Sequence, residues 1–285
     1  MNPALDFHFI FGLKPQTEPF HLAYFLCLAS CRALHPEARI FLHLRNTPHG
    51  PWWELAVPLV TIEYVEASPA DWDATRYEQT REGQFIAQAG LSYAHEADFL
   101  RADILLKRGG IYADMDTLFV RAYEPSWLAF ACAMGEEQSI PDARGVLRPS
   151  LCNAVIAAQP SAPFLQRWRS RMGVAFDGTW NNHSCAEASR LWLATPEDIV
   201  VLPSAHFYYF PWTRTGLARL FESDETALLE RRGVYSIHLW SHLWWSESRT
   251  DFSTFHASLI TPHHIRNGRS TFYRLAQRFL PNGVD

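Results

Sequence analysis

Residues 92–121 of this 285-residue chain read SYAHEADFLRADILLKRGGIYADMDTLFVR. Between positions 97 and 105, apolar residues recur at three- and four-residue intervals, which predicts an amphipathic helix that begins near Ser92. Gly109 and Gly110 predict the end of this helix, because glycine adopts left-handed backbone conformations without steric cost. A short apolar strand is expected next, and two aspartates that are one residue apart follow it.

The two aspartates are the first candidate site. Side chains alternate along a strand, so Tyr112, Asp114 and Asp116 should project to the same side. Two carboxylates at the carboxyl end of a buried strand suit a hard divalent cation, Mg²⁺ or Mn²⁺, which usually also binds substrate phosphates. Open α/β sheets bind ligands at this end. An Asp-x-Asp triplet alone is weak evidence, and a second one at residues 71–73 is expected to be a solvated loop.

The context of the triplet resembles the sugar-binding DXD region of glycosyltransferase family 32 and the related catalytic domain of the large clostridial glucosylating toxins. These families share Asp-x-x-Arg on a helix and then Gly-Gly-x-Tyr-x-Asp-x-Asp, and the chain has this pattern at residues 98–101 and 109–116. The resemblance implies an α/β fold of GT-A (Rossmann-like) type, with a mostly parallel central sheet, flanking helices and a C-terminal helical elaboration. It also implies a nucleotide-sugar donor, Mn²⁺ or Mg²⁺ as cofactor, and retention of anomeric configuration.

The resemblance assigns roles to the residues of this block. Asp98 and Arg101 are expected to orient the donor sugar, whereas an ordinary surface ion pair at this spacing would contribute little stability. Asp116 is expected to bind the cation directly. Asp114 is expected to bind it directly or through water while reaching the ribose, and Tyr112 of the motif is placed at the donor site.

Further site candidates lie outside the block. Phe11 ends the first predicted strand, where the family has an aromatic residue that stacks on the donor base. Asn153 lies in a predicted buried strand and either lines the pocket or satisfies backbone groups. His238 and Trp240 resemble the C-terminal His-x-Trp motif, in which the histidine completes the metal site. Trp240 is assigned to the donor site, and His242 competes with His238 as the third metal ligand.

Strands and helices alternate along the chain, which favours a mostly parallel sheet. Strands are predicted at 5–12, 38–44, 58–65, 127–134, 150–158 and 199–202, with a last strand entering a Trp-rich turn at 234–245. Helices are predicted at 17–35, 162–172, 184–194 and, as a basic amphipathic helix, 268–280; a turn is predicted at 48–53 and a loop at 136–149. The basic helix either lies on an anionic membrane surface or packs onto the domain with its arginines in water.

Composition narrows the class of protein. A hydrophobic content of 48% fits a single GT-A-like domain, with a nucleotide-binding part at about 1–121, an acceptor-side and metal-completing part at about 122–250, and a helical tail at about 251–285. The net charge of −5 argues against a nucleic-acid partner. The lack of a long apolar run or leader predicts a soluble, cytoplasmic protein, and the five cysteines are expected to be free thiols.

The sequence therefore predicts a metal-dependent, retaining glycosyltransferase that moves a hexose from a UDP- or GDP-linked donor to a hydroxyl of a glycan or glycolipid. No convincing enzymic nucleophile is found, so the acceptor hydroxyl is expected to attack on the leaving-group face. Two alternatives are a metal-dependent phosphoesterase or nucleotide-sugar hydrolase, since paired aspartates also serve phosphoryl chemistry, and a non-catalytic sugar-nucleotide-binding module.

Overall fold

The computed structural model describes residues 5–68, 92–141, 147–241 and 259–283. Its strands are β1 (Asp6–Phe11), β2 (Arg39–Leu44), β3 (Thr61–Tyr64), β4 (Gly110–Ala113), β5 (Thr117–Phe119), β6 (Cys132–Pro141), β7 (Leu147–Ala158), β8 (Val200–Leu202) and β9 (Ser236–His238). Its α-helices are α1 (Leu22–Leu34), α2 (Pro51–Ala56), α3 (Ser92–Arg108), α4 (Pro163–Ala175), α5 (Glu187–Ala194), α6 (Arg214–Glu222), α7 (Thr226–Arg231), α8 (Pro262–Asn267) and α9 (Thr271–Ala276). Short 3₁₀ turns lie at Val57–Leu59, Pro125–Ala129, Pro196–Asp198 and Ser204–His206, and a π-helical turn at Asn182–Ala186.

The central sheet has seven strands in the order β3-β2-β1-β4-β7-β6-β8. The pairs β1–β2, β2–β3, β1–β4 and β6–β8 are parallel, and only β7 runs antiparallel to its two neighbours in this sheet. The predicted α/β class with a mostly parallel, Rossmann-like sheet is confirmed. Such a sheet leaves the carboxyl ends of β1, β2 and β4 at one edge, where ligands bind in open α/β folds.

The Gly-Gly pair ends α3 as predicted. Gly109 and Gly110 have φ angles of +66° and +99°, which side chains other than that of glycine rarely adopt. A Cβ atom on Gly110 would lie 2.7 Å from the carbonyl oxygen of Asp6. Both the positive φ angles and the close approach to β1 therefore require glycine where α3 turns directly into β4.

The alternation predicted for β4 is also present. Ile111 and Ala113 pack into the core on one side of the sheet, whereas Tyr112 packs into the core on the other side. The chain then turns, with the Thr117 amide donating to the Asp114 carbonyl at 3.1 Å, and enters β5. Strand β5 pairs antiparallel with β9, a pairing that brings the C-terminal part of the chain against the end of β4.

Three local predictions were wrong, each because a proline or a long-range pairing prevailed. The turn at 48–53 contains the start of α2, since Gly50 supplies a left-handed backbone and Pro51 suits the first helical position. The strand predicted from position 127 begins only at Cys132, because Pro125 opens a 3₁₀ turn. Within the loop predicted at 136–149, β6 and β7 form a bulged antiparallel pair, which polar composition did not indicate.

The C-terminal segment packs onto the domain. The described helix begins at Thr271, three residues later than predicted, and Phe272 and Leu275 are buried. The guanidinium of Arg274 lies 2.9 Å from Asp224. The apolar face that contact with a membrane would need is therefore already covered by protein.

Of the helices in the described ranges, none has both the length and the apolar character needed to cross a bilayer. All five cysteines are free, as predicted.

Candidate active site

Asp114, Asp116 and His238 converge at the carboxyl end of β4, and we call them the DXD triad. The register of β5 and β9 places His238 opposite Thr117, the residue that follows Asp116. Nε2 of His238 lies 3.0 Å from Oδ1 of Asp116 and 3.7 Å from Oδ2 of Asp114. One ligand atom from each member lies within 4.8 Å of the others, and two carboxylates with one imidazole suit a divalent cation.

The charges of the triad are strongly coupled. Burial acts to raise the pKa of Asp116, but His238 and the backbone amide of Ser241, which donates at 2.9 Å, outweigh it and hold the pKa well below its usual range. Burial raises the pKa of Asp114, and Arg101 only partly offsets this. Burial lowers the pKa of His238, but the two carboxylates outweigh it, so its pKa is raised.

Arg101 connects this triad to Asp98. Its side chain is buried, with Nη1 3.2 Å from Oδ1 of Asp114 and Nη2 3.1 Å from Oδ1 of Asp98. Nη1 also donates to the carbonyl of Asn153 at 2.8 Å, and the guanidinium lies 4.5 Å from the centre of the Tyr112 ring. Asp98 and Arg101 are therefore part of a buried network, which excludes the surface ion pair.

Both oxygens of Asp98 accept hydrogen bonds. Nδ2 of Asn153 donates to Oδ1 at 2.7 Å, and Nε2 of His183 lies 3.1 Å from Oδ2. Burial acts to raise the pKa of Asp98, but Arg101 and the two hydrogen bonds outweigh it, so the pKa is lowered and the carboxylate is ionised. Asn153 is held here by side-chain contacts, including the thiol of Cys185 at 3.4 Å.

The predicted aromatic residues have different surroundings. The hydroxyl of Tyr112 donates to Oδ1 of Asp114 at 2.6 Å, so Tyr112 belongs to the same network. Phe11 is half-buried at the end of β1 and packs against the rings of Phe20 and Tyr24. Trp240 is 3% exposed and packs on His238, with ring centres 4.3 Å apart.

The position of Trp240 depends on an unusual backbone. Its φ angle is +54°, a left-handed conformation that non-glycine residues rarely adopt, and its Nε1 donates to the carbonyl of Phe210 at 2.8 Å. The Trp240 side chain therefore packs against His238. Its predicted contact with the donor stays a prediction. The competing histidine, His242, and the triplet at 71–73 lie outside the described residues.

Sequence reasoning missed Glu137, which faces His238 from β6. Burial raises its pKa to about 7, even though His238 acts to lower it. The residue lines an open cavity of about 580 Å³, together with Tyr208, whose ring centre lies 6.1 Å from that of His238. Glu137 lies in the loop predicted at 136–149, and the strand β6 is the feature that would indicate its position.

His183 was missed as well. It lies in the π-helical turn Asn182–Ala186, just before a predicted helix, and its side chain reaches Asp98 on α3. Nothing in the local sequence distinguishes this histidine, because the contact joins residues 85 positions apart.

Comparisons with known proteins show what the chain is similar to. Residues 25–133 match the model of a family described as the glycosyltransferase sugar-binding region containing a DXD motif. Glucan organizing enzyme 1 of Cryptococcus neoformans var. grubii serotype A is 27% identical over 281 residues, which cover 96% of this chain and 69% of that protein.

Two solved structures are also similar to the chain. Galactosyltransferase LgtC, in complex with donor and acceptor sugar analogs, aligns with a TM-score of 0.47 and 15% identity over 98% of each chain. PaToxG glycosyltransferase aligns with a TM-score of 0.40 and 13% identity over 67% of this chain and 69% of that one.

The family match contains every residue of the DXD block, from Asp98 to Asp116, and the alignment with the fungal relative extends along nearly the whole chain. The resemblance predicted from the sequence is thereby confirmed: residues 25–133 of the chain are similar to the DXD-containing sugar-binding region of glycosyltransferases.

Proposed function

We propose that the protein transfers a hexose from a UDP- or GDP-linked donor to a hydroxyl of a glycan or glycolipid, with retention of anomeric configuration and with Mn²⁺ or Mg²⁺ bound by the DXD triad. The observation that carries this proposal is the convergence of Asp114, Asp116 and His238 at the carboxyl end of β4. That edge of the sheet is where nucleotides bind in open α/β folds.

The residues present fit a divalent cation. Oδ1 of Asp114 already accepts from Tyr112 and contacts Arg101, so Oδ2, on the His238 side, is the atom left for the ion. When bound, the cation supplies a positive charge that stabilises the departing diphosphate. His238 must lose its proton to become a ligand, so the affinity for metal should fall as the pH is lowered.

Arg101 and Asp98 are proposed to orient the donor sugar. The guanidinium is fixed by Asp98 on one side and Asp114 on the other, so it needs no reorganisation when an anionic donor binds. Its fork of donors suits hydroxyl or phosphate oxygens. Asp98 is held ionised and accepts hydrogen bonds, the role that sugar hydroxyls would require.

The acceptor is proposed to enter through the cavity beside His238. Its lining combines tyrosine rings with carboxylate, hydroxyl and guanidinium groups, a mixture suited to a glycan. The lining includes Glu136, Glu137, Ser204, Tyr208, Tyr209 and Arg219. Glu137, in this lining, is placed to hold the acceptor through a neighbouring hydroxyl, while the departing phosphate takes the proton of the attacking hydroxyl.

The first experiment is a thermal-shift panel of UDP- and GDP-sugars, each with and without Mn²⁺. A donor that binds only the folded protein raises Tm by mass action. We expect one nucleotide class to raise Tm only when Mn²⁺ is present, and Asp116→Asn to abolish that increase. An increase with metal alone, and none with any donor, would instead favour a phosphoesterase.

A turnover assay separates transfer from hydrolysis. With a bound donor and a panel of glycans, transfer predicts that an acceptor accelerates donor consumption. Release of free sugar at a rate that no acceptor changes would support a nucleotide-sugar hydrolase. Trapping of a glycosyl-enzyme adduct would contradict the proposed attack by the acceptor on the leaving-group face.

A further inference from the structure

A second group of ligand-type side chains lies on the other side of Arg101 from the DXD triad, and we call it the His95 cluster. It consists of His95 and Asp98 on α3 and His183 in the π-helical turn. One ligand atom from each lies within 4.8 Å of the others, and both histidines have no exposed surface. None of the roles proposed above uses either histidine.

Three of the four ring nitrogens in the cluster have no hydrogen-bond partner among the described residues. They are Nδ1 and Nε2 of His95 and Nδ1 of His183, whereas Nε2 of His183 contacts Asp98. A neutral imidazole has one N–H donor and one lone pair, and it is unfavourable to bury both without partners. His95 is thus an unpaired polar side chain beside an ionised carboxylate and a second imidazole.

Among the described residues, aromatic rings form the walls around His95. The ring of Phe176 lies 5.2 Å from that of His95, measured between centres, and the ring of Trp180 lies 6.0 Å away. Phe99 stacks on His183 at 5.5 Å. Burial lowers the pKa of His95, and the neutral imidazole is the form that binds metals.

We infer that His95, Asp98 and His183 bind a transition-metal ion of the Zn²⁺ type, separate from the cation of the DXD triad. Two imidazoles and one carboxylate are a common ligand set for Zn²⁺ and other borderline ions. Nε2 of His183 and Oδ2 of Asp98 are 3.1 Å apart. Two ligands at about 2.0 Å from a tetrahedral ion are separated by roughly 3.3 Å, so only a small adjustment is needed.

The two oxygens of Asp98 would then have different tasks. Oδ2 faces His183 and would bind the ion, whereas Oδ1 keeps its contacts with Asn153 and Arg101, so a donor-sugar hydroxyl would share Oδ2 with the ion. The ion would also join α3 to the turn at Asn182–Ala186, so its binding should stabilise the fold. This role needs neither a donor nor an acceptor.

The test is to strip the intact protein with a chelator, add Zn²⁺, remove free metal by gel filtration and measure the bound zinc. We expect zinc to remain bound to Asp116→Asn, which alters the DXD triad, and to be lost from His95→Leu. Zinc should raise Tm of the unaltered chain by about 5 °C or more and leave that of His95→Leu unchanged. Co²⁺ in the same site should show the visible absorption of a tetrahedral complex in the Asp116→Asn background.

His206→Gln is the matched control, because His206 is half-buried, has an unpartnered Nδ1 and lies outside the cluster. It should bind zinc as the unaltered chain does. If His95→Leu fails to fold, His95→Gln is measured in its place. Zinc binding that survives both His95 substitutions, or that only Asp116→Asn removes, would overturn the inference and leave His183 as a hydrogen-bond donor to Asp98.

Discussion

The DXD triad and the His95 cluster have the same kinds of side chain in opposite proportions. The triad combines two carboxylates with one imidazole, and the cluster combines one carboxylate with two imidazoles. Arg101 contacts a carboxylate of each, Asp114 in the first and Asp98 in the second. Oxygen-rich sets favour hard ions and imidazole-rich sets favour borderline ions, so the two groups should differ in both metal and task.

The partners of the carboxylates differ as well. Asp98 accepts from Asn153 and His183, and its pKa is lowered despite burial. Asp114 is half-buried, and burial raises its pKa even beside Arg101. Asp98 therefore has protein partners on both oxygens, whereas Asp114 keeps Oδ2 toward His238. Position relative to Arg101 alone therefore does not define the function of a carboxylate.

Asp116→Asn should produce the largest effect. The substitution removes one ligand charge from the triad, so turnover should fall by roughly 10³-fold. Tm should stay within a few degrees, because an amide oxygen can still accept from Ser241. Asp103→Asn, at an exposed ion pair with Arg169 on the same domain, should retain full turnover. Near-normal turnover of Asp116→Asn, measured with the donor found by thermal shift, would contradict the metal assignment.

Arg101→Ala should destabilise both groups at once. It leaves Asp98 and Asp114 buried without their shared cation, so the free energy of unfolding should fall by about 3 kcal/mol. Urea denaturation measures this change. Arg108→Ala is the control, because Arg108 forms a more exposed ion pair with Glu63 and its loss should lower the free energy by less than about 1 kcal/mol. Equal losses of unfolding free energy in the two variants would mean that the Arg101 network stabilises the protein no more than the exposed ion pair does.

Asn153→Ala should act on the Asp98 side alone. Loss of the 2.7 Å hydrogen bond to a carboxylate should lower the free energy of unfolding by about 2 kcal/mol at pH 7. Because the folded-state pKa of Asp98 is lowered, its contribution is present above the ordinary carboxyl pKa and is lost as pH falls through the folded value. Asn153→Ala should shift that loss to higher pH in urea unfolding curves. A shift to lower pH would contradict the assigned hydrogen bond.

Glu137→Gln should have the smallest of these effects. It tests whether the carboxyl group beside His238 makes stability depend on pH. The folded-state pKa of Glu137 is raised to about 7, so the unfolded chain releases this proton first and stability should decline as pH rises from 4.5 to 7. Glu137→Gln should remove that decline, which screening by solvent at this partly exposed carboxyl reduces to about 1 kcal/mol. Urea denaturation at both pH values is the measurement. Glu136→Gln serves as the control, and an unchanged pH dependence in Glu137→Gln would show that Glu137 is solvated.

Residues 92–121 were predictable because their signals are local. The helical period, the Gly-Gly stop and the alternation in β4 each depend on neighbours within a few positions. The family resemblance added His238, since a motif can specify a distant residue without its contacts being known. The structure brings that histidine to Asp116 through the pairing of β5 with β9.

His183 and Glu137 could not be found in the same way. Each acquires its surroundings from elements far along the chain: His183 from α3, and Glu137 from the bulged pair of β6 and β7. The turn that became α2 was missed for the opposite reason, since Gly50 and Pro51 favour a turn and a helix start equally.

By itself, therefore, the sequence determined the α/β class, the helix-Gly-Gly-strand unit and the two aspartates at its end. Only the tertiary structure decided which histidine faces which carboxylate, that Arg101 is shared, and that a second cluster exists beside it. The physical reason is that backbone period and capping act over a few residues, whereas burial, ion pairing and pKa depend on contacts made by strand register and packing.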